Sequence, residues 1–204
     1  MALKLTKNEQ KLQKDRLKQY QRYLPTLPLK KQQLQQVIMA GQTELAALKA
    51  QRLRVIGDLD DWIAVFAENA LFDETVKLEN LVVPVRVVLN TENVAGVNTP
   101  VLEEVIFKEA AYDADALPLW VDTAAVRLRE IARFDALIAT LQKKLALLEN
   151  ELRATAQRVN LFEKVKIPEA MENIRIISIY LGDQQTAEVV RGKIAKKKIP
   201  EAAQ

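Results

Sequence analysis

The sequence predicts a mainly α protein: a long antiparallel two-helix coiled coil formed by its N- and C-terminal helices, with a small central β-hairpin region. Three observations carry this. Ile131, Phe134, Ile138, Leu141, Leu145, Leu148, Leu152, Thr155, Val159 and Phe162 fall on an unbroken 3-4-3-4 spacing, and nine of these ten are apolar. That spacing averages 3.5 residues, so the seam keeps facing one partner helix as the two wind together. A second seam runs through Leu17, Tyr20, Leu24, Leu27, Lys31, Leu34, Ile38, Gly41, Leu45, Leu48, Arg52, Val55, Leu59, Trp62 and Phe66, with twelve of fifteen positions apolar. Third, no glycine lies between Val97 and Leu181 and no proline between Leu119 and Ile167, which favours long helices over frequent turns.

Taken in order, residues 1–75 read as the N-terminal coiled-coil helix, with a bend at 25–28. Pro25 and Pro28 each remove a helical hydrogen bond, but the apolar register passes between them through Leu24 and Leu27. A new helix starting near Pro28 is the other reading. From Leu29 to about Phe72 the helix would span roughly 65 Å at 1.5 Å per residue.

Residues 76–118 read as a hairpin and loop region. Val82 to Leu89 is dense in β-branched residues, Asn90-Thr91-Glu92-Asn93 has turn chemistry, and Val94 to Phe107 supplies a second extended piece punctuated by Gly96 and Pro100. Such a hairpin is marginal alone and needs a surface to pack on. Residues 119–190 read as the C-terminal coiled-coil helix. Pro168 either starts a new helix in its first turn or kinks a continuous one, and the apolar face resumes at Met171, Ile174, Ile177 and Leu181 after a phase shift. Residues 191–204 form a basic tail, expected to fray unless a partner orders it. Matching the seams at their ends would set Phe66 against Ile131, Leu48 near Asn150, Leu34 near Lys164 and Leu17 against Leu181.

Composition excludes much. The chain of 204 residues has no cysteine and no histidine, so disulfides, Cys/His zinc sites and Ser-His-Asp or Cys-His catalysis are ruled out. Neither G-x-x-x-x-G-K-[ST] nor G-x-G-x-x-G occurs, so no nucleotide site is evident, and no catalytic residue, cofactor site or metal site is expected from the remaining residues either. Asp58, Asp60 and Asp61 make a solvated acidic face more readily than an ion site, and Asp113 and Asp115 suit loop caps. Trp62 and Trp120 read as core filling. Gly41 permits close helix approach, Arg52 snorkels or meets another subunit, and Lys31 and Thr155 are seam defects that fix register. No apolar stretch is long enough to span a membrane, and the start lacks a signal-peptide core, so a cytoplasmic or membrane-peripheral protein is expected.

The net charge of +3 conceals a split. Residues 1–35 carry nine Lys/Arg against Glu9 and Asp15, and residues 189–204 carry five against Glu201, so the middle is acidic. An antiparallel pair brings both basic termini to one end, suited to an electronegative partner. With 5% aromatic residues and lysines spread round a helix, no nucleic-acid module is visible.

Gln157-Arg158-Val159-Asn160-Leu161-Phe162-Glu163, followed by Ile167-Pro168-Glu169 and Glu172-Asn173-Ile174, resembles the D subunit of the V-type (vacuolar/archaeal-type) ATPases and ATP synthases. Thr6-Lys7-Asn8-Glu9 resembles that family's opening helix, Asn93-Val94-Ala95-Gly96-Val97 its short hairpin, and Arg191 to Lys198 its basic tail. Tyr23-Leu24-Pro25-Thr26-Leu27-Pro28 departs from the commoner basic, proline-free pattern and points to a bacterial branch. The resemblance implies a non-catalytic central rotor shaft that couples ATP turnover in a hexamer of catalytic and non-catalytic subunits to ion translocation through a membrane ring. It implies contacts with a companion stalk protein, the F subunit, and with a funnel-shaped subunit, on the cytoplasmic face of the membrane. Lys196, Lys197 and Lys198 are the expected hexamer contacts, and a static coiled-coil tether or adaptor is the alternative.

Overall fold

Long helices follow from these seams. The computed structural model describes residues 3–60, 82–108 and 120–201. Helix α1 (Lys7–Tyr23) opens on a side-chain cap: Thr6 adopts an extended backbone and its side chain accepts a hydrogen bond from the Glu9 N–H at 3.3 Å. Helix α2 (Thr26–Asp60) follows after two residues. Strands β1 (Pro84–Val94) and β2 (Val97–Phe107) pair antiparallel, and helix α3 (Trp120–Leu161) passes through a π-helical turn (Phe162–Lys166) into helix α4 (Ile167–Glu201). The fold is therefore mainly α, an antiparallel coiled coil of N- and C-terminal helices with, among the described residues, one small hairpin.

The chain divides into two compact units, residues 32–153 and residues 1–31 with 154–204. In the first, Leu34, Ile38, Leu145 and Leu148 form the buried core, with Val37, Leu45, Leu141 and Leu152 packed around it. The hairpin tip, Val94, Ala95 and Val97, packs on the same cluster, which gives the two-stranded sheet the surface it needs. In the second unit α1 packs against α4, Gln10 Nε2 donates to Ser178 Oγ at 2.6 Å, and Ile177 and Ala170 are buried.

Three expectations are corrected. The hairpin does not turn at Asn90–Asn93, which belong to β1; it turns at Ala95 (φ 51°) and Gly96 (φ 82°). Two consecutive positive φ values make the turn whose twist matches the strands, and the Gly96 N–H donates to Asn93 Oδ1 at 3.0 Å. The end-matched register is also displaced, by about three to five helical turns. Leu34 packs with Leu145 and Leu148, not Lys164; Leu48 lies by Leu137, Thr140 and Leu141, not Asn150; and Gln10, rather than Leu17, is level with the turn before Leu181. The reason lies ahead of Ile131: Val121, Ala124 and Ala125 are buried, so the shielded face of α3 begins well before the large apolar residues announce it.

Met171 is 56% exposed, and Ala170 takes the buried place instead. The π turn adds a residue to the helical cycle and carries the seam round by one position. Finally, the helical backbone of α4 runs on through residues 191–201, which the sequence reads as a basic tail. Trp62, Phe66, Asp61, Asp113 and Asp115 lie outside the described residues.

Candidate functional site

The functional parts of this chain are packing surfaces. Among the described residues no group of carboxylates is placed to hold a metal ion, and no helix is long and apolar enough to cross a membrane. A groove of about 110 Å³ lies between β2 and the helices, lined by Glu44, Leu48, Leu102, Thr140, Leu141 and Lys144. That groove is well under the ~300 Å³ at which small-molecule sites begin, while an open groove beside Lys49, Arg52 and Ile138 holds about 320 Å³.

Within residues 32–153, the seam positions Leu34, Ile38, Gly41, Val55, Leu145 and Leu148 are buried, while Leu45, Leu48, Ile138, Leu141 and Leu152 are partly shielded. Leu34 and Leu148 have no exposed surface. Gly41 sets the helix spacing: a Cβ built there would come within 2.8 Å of Leu145 Cδ2. A residue with no side chain lets the two backbones approach and lets Leu145 fill the space. Ile138 borders a shallow groove with Lys49, Arg52, Leu53 and Asp135.

Arg52 pairs across the two helices. Its Nε donates to Asp135 Oδ1 at 2.5 Å and its Nη2 to Asp135 Oδ2 at 3.3 Å, a two-pronged bridge across the pair. The hairpin is pinned by charge as well as by its tip. Lys144 Nζ donates to Glu92 at 2.9 Å, and the Arg133 guanidinium lies over the Phe107 ring, 5.6 Å from its centre. Neither anchor was legible in the sequence, because Glu92 sits in a stretch that reads as a turn and Arg133 shows no pattern relating it to Phe107.

Within the other unit the seam is more polar. Gln13 is buried and donates to Glu9 Oε1 at 2.9 Å. Thr155 is fully buried and its hydroxyl has no hydrogen-bond partner. Tyr20 meets Phe162 with ring centres 5.2 Å apart. On the outer surface of α4, Arg175 donates to Glu172 through two bonds of 2.8 and 2.7 Å. That hydrogen bonding holds the Glu172 carboxyl below, and the Arg175 guanidinium above, its ordinary range. Both groups are exposed, so the pair is a solvated helix-face contact. Lys196 is exposed on α4, and the backbone at Lys197 and Lys198 is helical.

Residues 9–197 match the family model of the ATP synthase D subunit. The chain belongs to the ATP synthase D-subunit family. It is 42% identical over 197 residues to the V-type ATP synthase D subunit of Borreliella burgdorferi, covering 97% of this chain and 95% of that one. It is 36% identical to the same protein of Chlamydia abortus, over 97% of this chain and 93% of that one, and 34% identical to that of Chlamydia pneumoniae, over 98% and 94%. The D subunit is a non-catalytic part of a rotary, membrane-associated ATP synthase complex, so its partners are other subunits of that complex.

Proposed function

We propose that this chain is the central rotor shaft of its complex, coupling ATP turnover in the catalytic hexamer to ion translocation through the membrane ring. The observation that carries the reading is the antiparallel pairing of α1 with α4, which joins two basic termini in one unit. A shaft needs a stiff two-helix element, and Leu34, Ile38, Leu145 and Leu148 supply its packed seam. It also needs an end that partners can hold without a covalent bond. Lys196, Lys197 and Lys198, with the lysines of α1, give that end a positive field suited to an electronegative hexamer opening. The acidic middle, with the hairpin, is where the companion F subunit of the stalk and the funnel-shaped subunit would dock. The complex would then present this chain on the cytoplasmic face of the membrane.

Copy number in the intact complex tests the reading. One chain per nucleotide-binding hexamer is required of a shaft, and two or more per hexamer would instead favour a static coiled-coil tether. Replacing all three lysines, Lys196→Glu, Lys197→Glu and Lys198→Glu, should weaken assembly at low ionic strength, with the difference from the parent narrowing as salt screens the field. Equal assembly of variant and parent at low salt would reject the electrostatic part.

A further inference from the structure

The helix pair made by the two termini is irregular in both of its helices within about two turns of one aromatic contact. One turn after Tyr20, helix α1 ends at Tyr23. Leu24 keeps a helical backbone and its N–H still reaches Tyr20 O at 2.9 Å. Pro25 and Pro28 then have no N–H to give to the carbonyls of Gln21 and Leu24. The Thr26 hydroxyl donates to Tyr23 O at 2.8 Å, a side-chain bond where a backbone ladder would otherwise run. On the opposite helix the π turn begins at Phe162, the residue whose ring meets Tyr20. There the Ile167 N–H closes on Phe162 O, one residue further back than in an α-helix, and Pro168, the next residue, has no N–H to donate.

The two irregularities are staggered. The helices run antiparallel, so the proline break lies on one side of the Tyr20–Phe162 contact along the axis and the π turn lies on the other. At each level one helix is continuous while the other is not. Apolar side chains on the outer faces beside both irregularities are exposed, Tyr23 by 58%, Leu29 62%, Leu161 43% and Val165 48%, while the seam positions Leu24, Leu27 and Ile167 are half-buried. An intact backbone ladder is part of what resists local opening, and it is interrupted here in both helices.

We propose that Tyr20–Phe162 is the pivot of a built-in bending joint, with the proline break and the π turn as its two compliant limbs, coupled through the rings. The joint belongs to the helix pair and stands whether or not the chain is a rotor. In a rotor it is where the shaft would yield under load.

Hydrogen exchange on the intact chain tests it. Amides at Leu24, Thr26, Leu27 and Leu29, and those from Glu163 to Ile167, should exchange at least tenfold faster than those at 13–19 and 173–178. Restoring the ladder with Pro25→Ala and Pro28→Ala together should slow exchange in the proline limb and also, at a distance, in the π limb. In a Tyr20→Leu background the same replacements should slow the proline limb alone. Uniform protection across the pair in the parent protein would overturn the joint. Slowing confined to the proline limb with Tyr20 in place would overturn the coupling, leaving two unrelated helix defects.

Discussion

The two compact units are both antiparallel helix pairs, yet they are built on different terms. In residues 32–153 the seam is leucine and isoleucine, glycine admits close approach at Gly41, an Arg52–Asp135 bridge crosses the pair, and the hairpin tip braces it. In residues 1–31 with 154–204 the seam admits Gln13 and an unpartnered Thr155 hydroxyl, one helix is broken by prolines, and the other takes a π turn. The lesson is that a 3.5-residue spacing specifies pairing but not stiffness. Stiffness depends on what fills the seam and whether the backbone ladder is whole.

The largest effect expected from breaking this contrast is in the leucine seam. Leu148→Ala removes a side chain with no exposed surface and should cost about 2–5 kcal/mol, read as a lower denaturant midpoint with an unchanged slope. Next comes the close approach. Gly41→Ile would drive a branched side chain onto Leu145 and should cost about 1–3 kcal/mol. Gly41→Ala should come out near neutral, since the helix gains about 1 kcal/mol of propensity while only the terminal methyl of Leu145 must move. If both substitutions were equally harmless, the helices would be further apart than described.

The polar seam should respond in the opposite direction. Thr155→Val keeps the shape and deletes a buried hydroxyl without a partner, so it should stabilise by about 1 kcal/mol, measured as a raised thermal midpoint. Loss of stability would mean that the hydroxyl is bonded in the assembled protein. The smallest effect belongs to Arg52–Asp135, whose side chains are 32% and 53% exposed. A double-mutant cycle with Arg52→Ala and Asp135→Ala should return a coupling of about 0.2–1 kcal/mol that shrinks with added salt.

How much of this was legible follows the same contrast. Spacing alone marked Leu34, Ile38, Leu145 and Leu148 as one shielded face, because large apolar side chains at period 3.5 leave a clear trace. Register left none. It depends on where each seam starts, and α3 begins its buried face with Val121, Ala124 and Ala125, residues too small to stand out. The strands were legible from their β-branched residues, but their turn was not. Asn90 to Asn93 have turn-forming side chains, whereas Ala95-Gly96 hold the positive φ values that a two-residue hairpin requires. The π turn showed only indirectly, as the phase shift after Pro168, since one added residue changes no composition. The Lys144–Glu92 and Arg133–Phe107 anchors needed the fold to bring together residues far apart in sequence.

Rotation is the central claim, and it can be watched. With the hexamer of the intact complex fixed to a surface and a probe attached through Glu103→Cys on the exposed side of β2, ATP should turn the probe in one direction, in steps of one third of a revolution. ATP hydrolysis at the normal rate with a firmly attached probe that does not turn would contradict the account and leave the chain a static tether.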